Sequence, residues 1–166
     1  MAAAGAAGQV GDDMDVKDIM TTNPISIEQD APLGTAMAVM VERKIRHLPV
    51  VNAEGTVVGI ITDRDLRSAA LAPALEHYLS ESARRRLRSI GGTLEDLAVR
   101  DAMTCNPITT RPDTPATQAA ALMLEHRVGS LPVVDGGKLV GIVTDRDAVK
   151  ALARQVPAAW RPELLW

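Results

Sequence analysis

Apolar and polar positions along this chain fall into short periods whose order is used twice. Side chains alternate in Pro24-Ile-Ser-Ile27, the pattern of a short strand. Apolar residues then recur three or four apart at Leu33, Ala36, Met37 and Met40, which predicts an amphipathic helix with Asp30 as N-cap and Pro32 in its first turn. Two apolar strands follow, residues 48–51 and 56–61, joined through the turn residues Asn52-Ala-Glu-Gly55 as a hairpin. The second strand runs into Thr62-Asp-Arg-Asp65 and a closing helix. Downstream the same order returns: Pro107-Ile-Thr-Thr110, then Asp113 and Pro115 ahead of Ala116, Ala119, Ala120 and Met123. A hairpin of residues 131–134 and 138–143 turns through Asp135-Gly-Gly137 and ends in Thr144-Asp-Arg-Asp147.

The residues repeat as well as the periods. Val16-Lys-Asp-Ile-Met-Thr-Thr-Asn-Pro-Ile25 matches Val99-Arg-Asp-Ala-Met-Thr-Cys-Asn-Pro-Ile108 at an offset of 83, which holds as far as Leu48-Pro-Val-Val51 and Leu131-Pro-Val-Val134. It becomes 82 at Gly59-Ile-Ile-Thr-Asp-Arg-Asp65 and Gly141-Ile-Val-Thr-Asp-Arg-Asp147, so one residue is lost in the hairpin turn. A strand-helix-strand step pairs its strands in parallel and a hairpin pairs them antiparallel, so the sheets are mixed. The expected fold is therefore α+β (mixed α/β): two β-α-β-β-α repeats related by a pseudo-twofold axis, sheets packed together and helices outside. Each unit of about 60 residues is too small to bury a robust core alone, so the pair should form one pseudo-symmetric body. Residues 14–70 and 97–153 are the repeats. Leu71, Leu75, Leu79, Ala83, Leu87 and Ile90 predict a connector helix within 71–96, stopped by Gly91-Gly92. Residues 1–13 are expected to be a disordered tail and 154–166 a C-terminal tail.

Composition narrows the function classes. In 166 residues there is no Phe, and the aromatic residues are Tyr78, Trp160 and Trp166. That argues against base-stacking nucleic-acid platforms. A formal charge of −3 gives no general attraction to polyanions, and one cysteine, Cys105, precludes an internal disulfide. No apolar run is long enough to span a bilayer, so a cytoplasmic protein with no membrane association is expected.

Chemistry concentrates where the second hairpin strand meets the closing helix. Backbone N–H groups and the positive end of the helix dipole converge there, a place for an anion. Asp65 falls in the first helical turn, where its carboxylate can accept hydrogen bonds from a ribose diol, while Thr62 and Arg64 can meet a phosphate. The competing reading is a capping box, with Thr62 on a helical N–H and Asp65 reaching back. The duplication at Thr144, Arg146 and Asp147 favours a ligand, and both readings remain open from the residues alone.

These residues resemble the paired cystathionine-β-synthase (CBS) domains, or Bateman modules, over about residues 15–153. The resemblance rests on Asp-Ile-Met-Thr21 and Asp-Ala-Met-Thr104, on Arg-His-Leu-Pro-Val50 and Gly-Ser-Leu-Pro-Val133, and on the two Gly-hydrophobic-x-Thr-x-x-Asp strings. The run Arg46-His-Leu-Pro-Val-Val51 followed by Ile61-Thr-Asp-Arg-Asp65 is similar to small stand-alone bacterial CBS-pair proteins of the acetoin-utilisation type. The resemblance implies a regulatory module that is not an enzyme and binds AMP, ADP or ATP, in some members NAD or S-adenosylmethionine, in clefts between its repeats. Asp65 and Asp147 would hold ribose, with Thr62, Arg64, Thr144 and Arg146 near phosphate. Adenine would lie between the backbone at Thr22, Asn23, Pro24 and Ile25, or Cys105, Asn106, Pro107 and Ile108, and the strands Leu48-Pro49-Val50 and Leu131-Pro132-Val133. In members of that family the residues just before Leu-Pro often reach phosphate across the pseudo-twofold axis, which implies that Arg46 and His47 would serve the Asp147 cleft, leaving the Asp65 cleft only Gly129 and Ser130. Unequal sites follow, the Asp147 cleft preferring the more highly charged ligand. The resemblance further implies a homodimer and a separate regulated protein.

Other features read as structural. His47, His77 and His126 lack an i, i+4 partner and a nearby cysteine, so no metal site is expected. The Arg84-Arg-Arg86-x-Arg88 run reads as a solvated helix face, Cys105 as an incidental small residue opposite Thr22, and Met20, Met103, Met40 and Met123 as packing. Trp160 and Trp166 could seal a dimer or cover a sheet. The alternative to a ligand sensor is a constitutive dimeric scaffold without nucleotide binding.

Overall fold

The computed structural model describes residues 14–71 and 97–155. The N-terminal tail, nearly all of the connector with its arginine run, and Trp160 and Trp166 lie outside the described residues. In chain order the elements are α1 (Val16–Ile19), β1 (Thr21–Thr22), β2 (Ile27–Glu28), α2 (Leu33–Arg43), β3 (His47–Val51), β4 (Val57–Thr62) and α3 (Asp63–Leu71). Then come a 3-10 turn (Val99–Asp101), β5 (Thr104–Cys105), α4 (Ala116–His126), β6 (Ser130–Asp135), β7 (Lys138–Thr144) and α5 (Asp145–Gln155). The mixed α+β reading and both hairpins hold, whereas the leading strand of each repeat is shorter than its alternation predicts. Ile27 and Glu28 pair in parallel with Val50 and Val51, and Thr110 makes a single parallel bridge to Val133.

The repeats exchange their first segments. One sheet has the order β2-β3-β4-β5 and the other β1-β7-β6, so β1 from the first repeat pairs with β7 of the second, and β5 from the second with β4 of the first. The cores follow the exchange. Val99 is buried with Leu33, Leu48 and Ile61, and Val16 with Met123, Leu131 and Val143.

This crossing explains several matched residues. Asp18 and Asp101 each accept the N–H of the residue three before, Asp15 and Ala98, at 2.9 Å, closing the turn that aims the chain across. Met20 then lies over Gly141 and Met103 over Gly59: a Cβ at either glycine would stand 2.4 Å from the methionine Sδ. The Gly of each Gly-Ile-x-Thr string is therefore room for the other repeat's strand. Asn23 and Asn106 leave those strands with positive φ (47° and 49°), a conformation asparagine tolerates better than most residues.

Two expectations are corrected. Asp30 and Asp113 do not cap α2 and α4; Pro32 and Pro115 hold the cap positions. The incoming segments already use the first helical donors, Leu33 N–H going to the Leu97 carbonyl at 2.7 Å and Ala116 N–H to that of Met14 at 2.8 Å. Asp30 instead pairs with Arg100, and Asp113 with Arg111. Met37 is 44% exposed, because the buried stripe of α2 narrows to Leu33, Ala36 and Met40. Among the described residues no helix is long and apolar enough to cross a membrane.

Candidate ligand clefts between the repeats

Each cleft is built where a crossing segment, a helix-to-strand turn and a strand-to-helix junction converge. The first, about 310 Å³, has Thr21, Asn23, Pro24 and Ile25 on one wall, Lys44, Ile45, Arg46 and His47 on another, and Ile142, Thr144, Asp145, Arg146 and Asp147 on the third. The second, about 600 Å³, brings together Thr104, Asn106, Pro107 and Ile108, the run Arg127, Val128, Gly129 and Ser130, and Ile60, Thr62, Asp63, Arg64, Asp65 and Arg67. It is also lined by Arg46, His47 and Asp145.

The two Thr-x-x-Asp strings have one geometry. Asp65 Oδ2 accepts the Thr62 N–H at 2.8 Å and its hydroxyl at 2.7 Å, while the Asp65 N–H donates to Thr62 Oγ1 at 3.3 Å. In the second copy the corresponding distances are 3.0, 2.7 and 3.3 Å. Both carboxylates thus serve as caps through Oδ2, while both residues are only partly buried and line their clefts through the remaining surface. Oδ1 of Asp147 stands 3.6 Å from Lys150 Nζ.

The helix N-termini offer fewer donors than expected. Asp63 N–H is taken by the Arg46 carbonyl and Asp145 N–H by that of Gly129, both at 3.0 Å, and Arg146 N–H by the Asp145 side chain. Positive charge in the clefts therefore comes from side chains. Lys44 and Arg127, which the motifs did not single out, occupy equivalent positions one residue beyond α2 and α4, with φ of 54° and 55°. Each closes its helix in left-handed geometry, where glycine is the usual residue, and Ile45 and Val128 N–H then bond back to Met40 and Met123 at 3.0 Å. The signal was present as a matched pair of basic residues at a helix stop.

Several predicted wall residues lie elsewhere. Leu48, Pro49, Val50, Leu131, Pro132 and Val133 are fully buried in the cores and line neither cleft. Their uninterrupted apolar run marks strands covered on both faces. The apolar walls come instead from Ile25, Ile60, Ile108 and Ile142; Ile60 and Ile142 share a strand face with Thr62 and Thr144 because side chains alternate. Thr22 and Cys105 give way to Thr21 and Thr104 by the same alternation. The division of cations is corrected too, since Arg46 and His47 line both clefts and the Asp65 cleft adds Arg67 and Arg127 to its Arg64. Arg67 is paired with Asp63 at 3.0 Å.

His47 is half-buried. Burial first, and then the Arg46 guanidinium, hold its pKa below the ordinary 6.5, against the opposing pull of Asp145, Asp63 and Asp65. Among the described residues no group of three His, Cys, Asp or Glu side chains is placed to hold a metal.

The CBS domain family model matches residues 16–72 and 99–154. A CBS domain-containing protein of Dictyostelium discoideum is 37% identical over 140 residues, 84% of this chain and 91% of its own length. A homoserine O-acetyltransferase of Methanocorpusculum labreanum is 33% identical over 82% of this chain, which spans only 24% of that larger protein. Among solved structures, CBSX2 in complex with AMP superposes with a TM-score of 0.68 at 31% identity, over 84% of this chain and 96% of that one. The CBS domain pair of the protein MJ0100, in complex with 5′-methylthioadenosine and S-adenosyl-L-methionine, gives 0.68 at 28% identity over 86% and 98%. A putative acetoin utilization protein, AcuB, from Vibrio cholerae gives 0.65 at 28% identity over 85% and 91%. The chain belongs to the CBS-domain family and carries that domain twice.

Proposed function

We propose that this protein is a non-catalytic regulatory module that binds adenine nucleotides of the AMP, ADP and ATP class in its two clefts and reports metabolic state to a separate protein. The observation that carries the reading is the duplicated wall set: in each cleft a Thr and an Asp at a strand-to-helix junction face isoleucine side chains, with basic residues at the rim. That combination suits a nucleotide, the isoleucines covering the base, a carboxylate the ribose and the cations the phosphates. The AMP complex of one structural neighbour and the S-adenosylmethionine and methylthioadenosine complexes of another support an adenosine ligand. The module would act in the cytoplasm as a homodimer, each ligand favouring one arrangement of the repeats.

Isothermal titration of AMP, ADP and ATP, with thermal shift alongside, tests this. Ligand at a hundred times its Kd stabilises the native state by about 2.7 kcal/mol, a shift of several degrees. Asp65→Asn and Asp147→Asn should each abolish binding at one cleft. The caps formed by Asp65 and Asp147 favour one second reading, a constitutive dimeric scaffold. On that reading no adenosine ligand gives heat or raises the melting temperature.

A further inference from the structure

Arg46 and His47 line both clefts, and their equivalents in the second repeat, Gly129 and Ser130, carry no charge. A Cβ placed on Gly129 would stand 3.1 Å from His47 Nε2, so the imidazole fills the space that a side chain at 129 would occupy. The same point lies 3.8 Å from an Asp145 carboxylate oxygen, and Asp145 also borders both clefts. Arg46 and His47 thus have no charged counterpart in the second repeat, whereas the carboxylate of Asp145 does have one, Asp63, which borders the Asp65 cleft.

We infer that the two clefts compete for this single Arg46–His47 pair, so that a phosphate-bearing ligand in one weakens a phosphate-bearing ligand in the other. The inference rests on the nucleotide-binding reading above. One guanidinium cannot make the same charge-assisted hydrogen bonds to two phosphate groups on opposite sides, and the second phosphate also meets the charge of the first. Burial holds His47 toward its neutral form, so its single imidazole becomes a cation only where a phosphate charge offsets that burial. Lys44 and Arg127 belong to one cleft each, so each cleft keeps a cation and the second ligand still binds, more weakly. A ligand without phosphate makes no such demand.

The experiment is calorimetric titration of ATP and of adenosine into the intact protein and into single-cleft variants, Asp65→Asn and Asp147→Asn, which give each cleft's affinity alone. For ATP the second stepwise affinity in the intact protein should fall about tenfold below that of the same cleft measured alone, within the range of site-to-site coupling. For adenosine the two should agree. In Arg46→Ala with His47→Asn, ATP should bind more weakly in both clefts and the coupling should shrink toward unity. ATP stepwise affinities that follow from the two isolated clefts would overturn the competition while leaving nucleotide binding intact. A coupling that persists unchanged in the Arg46 and His47 variant would overturn the assignment to that pair. Absence of binding by ATP and adenosine alike overturns both this inference and the reading beneath it.

Discussion

Lys44 and Arg127 separate stability from function, because the residue that would suit the backbone best is not the one present. Each sits at positive φ at a helix end, where an L-residue costs roughly 1–2 kcal/mol and glycine costs nothing. Glycine also loosens the unfolded chain, which offsets about 0.4–1 kcal/mol of the gain. Relief of backbone strain outweighs that loosening, so Lys44→Gly and Arg127→Gly should each stabilise the protein by roughly 0.5–1 kcal/mol, or about 1–4 °C in Tm for a chain of this size. Both side chains are exposed at a cleft rim, so a lost phosphate contact lies at the lower end of charge-assisted hydrogen bonds, near 1.4 kcal/mol and about tenfold in ATP affinity. Urea denaturation and ATP titration measure the two effects, with adenosine as the control that should not change. Lys44→Gly acts on the Asp147 cleft and Arg127→Gly on the Asp65 cleft. If the variants lose stability and keep their ATP affinity, both the strain and the role of these cations have been misjudged.

Gly141→Ala drives a methyl group to 2.4 Å from Met20 Sδ and 3.2 Å from the Thr21 carbonyl, and overpacking of this kind costs about 1–3 kcal/mol. In the double variant with Met20→Ala the cost should fall well short of the sum of the singles in denaturant midpoints; simple additivity would refute the contact. Among the described residues Thr110 buries a hydroxyl without a partner, where the first repeat has Ile27. Thr110→Val should raise stability by about 1 kcal/mol, and a loss would mean the hydroxyl is satisfied in solution. His47, with its folded pKa held below 6.5, binds a proton less readily folded than unfolded. Its contribution is complete above pH 6.5 and is lost as pH falls through the lower folded value, so the fall in stability below pH 6.5 should be shallower in His47→Asn; an identical profile would remove His47 from the pH response.

Order of elements was legible because the chain states it twice, and two matching periods constrain each other more than either alone. The pairing of β1 and β5 was not legible, for a reason contained in the same duplication. Gly59 and Gly141 stand at matched positions in near-identical strands, so nothing local in the sequence tells whether Met20 packs on the glycine of its own repeat or, as it does, on that of the other. The misplaced Asp30 and Asp113 caps follow from that ambiguity, since the carbonyls that replace them arrive with the crossing segments. At the clefts, Thr62, Asp65, Thr144 and Asp147 were readable from a junction motif. The Leu-Pro-Val strands misled because strong hydrophobicity marks burial, while a cleft wall needs apolar atoms left half in water, as at Ile60.

The exchange also fixes what a ligand can influence. Each cleft takes walls from both repeats: in one, residues 21–25 of the first repeat, whose strand pairs beside residues 141–142 of the second, meet residues 44–47, which lead into the other sheet. The crossing segments tie the repeats together through two-residue strands and through backbone hydrogen bonds such as Val16 N–H to Thr114, Leu33 N–H to Leu97, Val99 N–H to Ala31 and Ala116 N–H to Met14. A ligand in a cleft would touch both sides of that junction, whereas the hairpins of residues 47–62 and 130–144 carry the longer ladders. On the nucleotide reading, binding energy would favour one repeat-to-repeat angle, and only a ligand whose contacts differ between two angles would shift the population. Phosphate number would supply such a difference if the proposed competition holds, since Arg46 and His47 line both clefts.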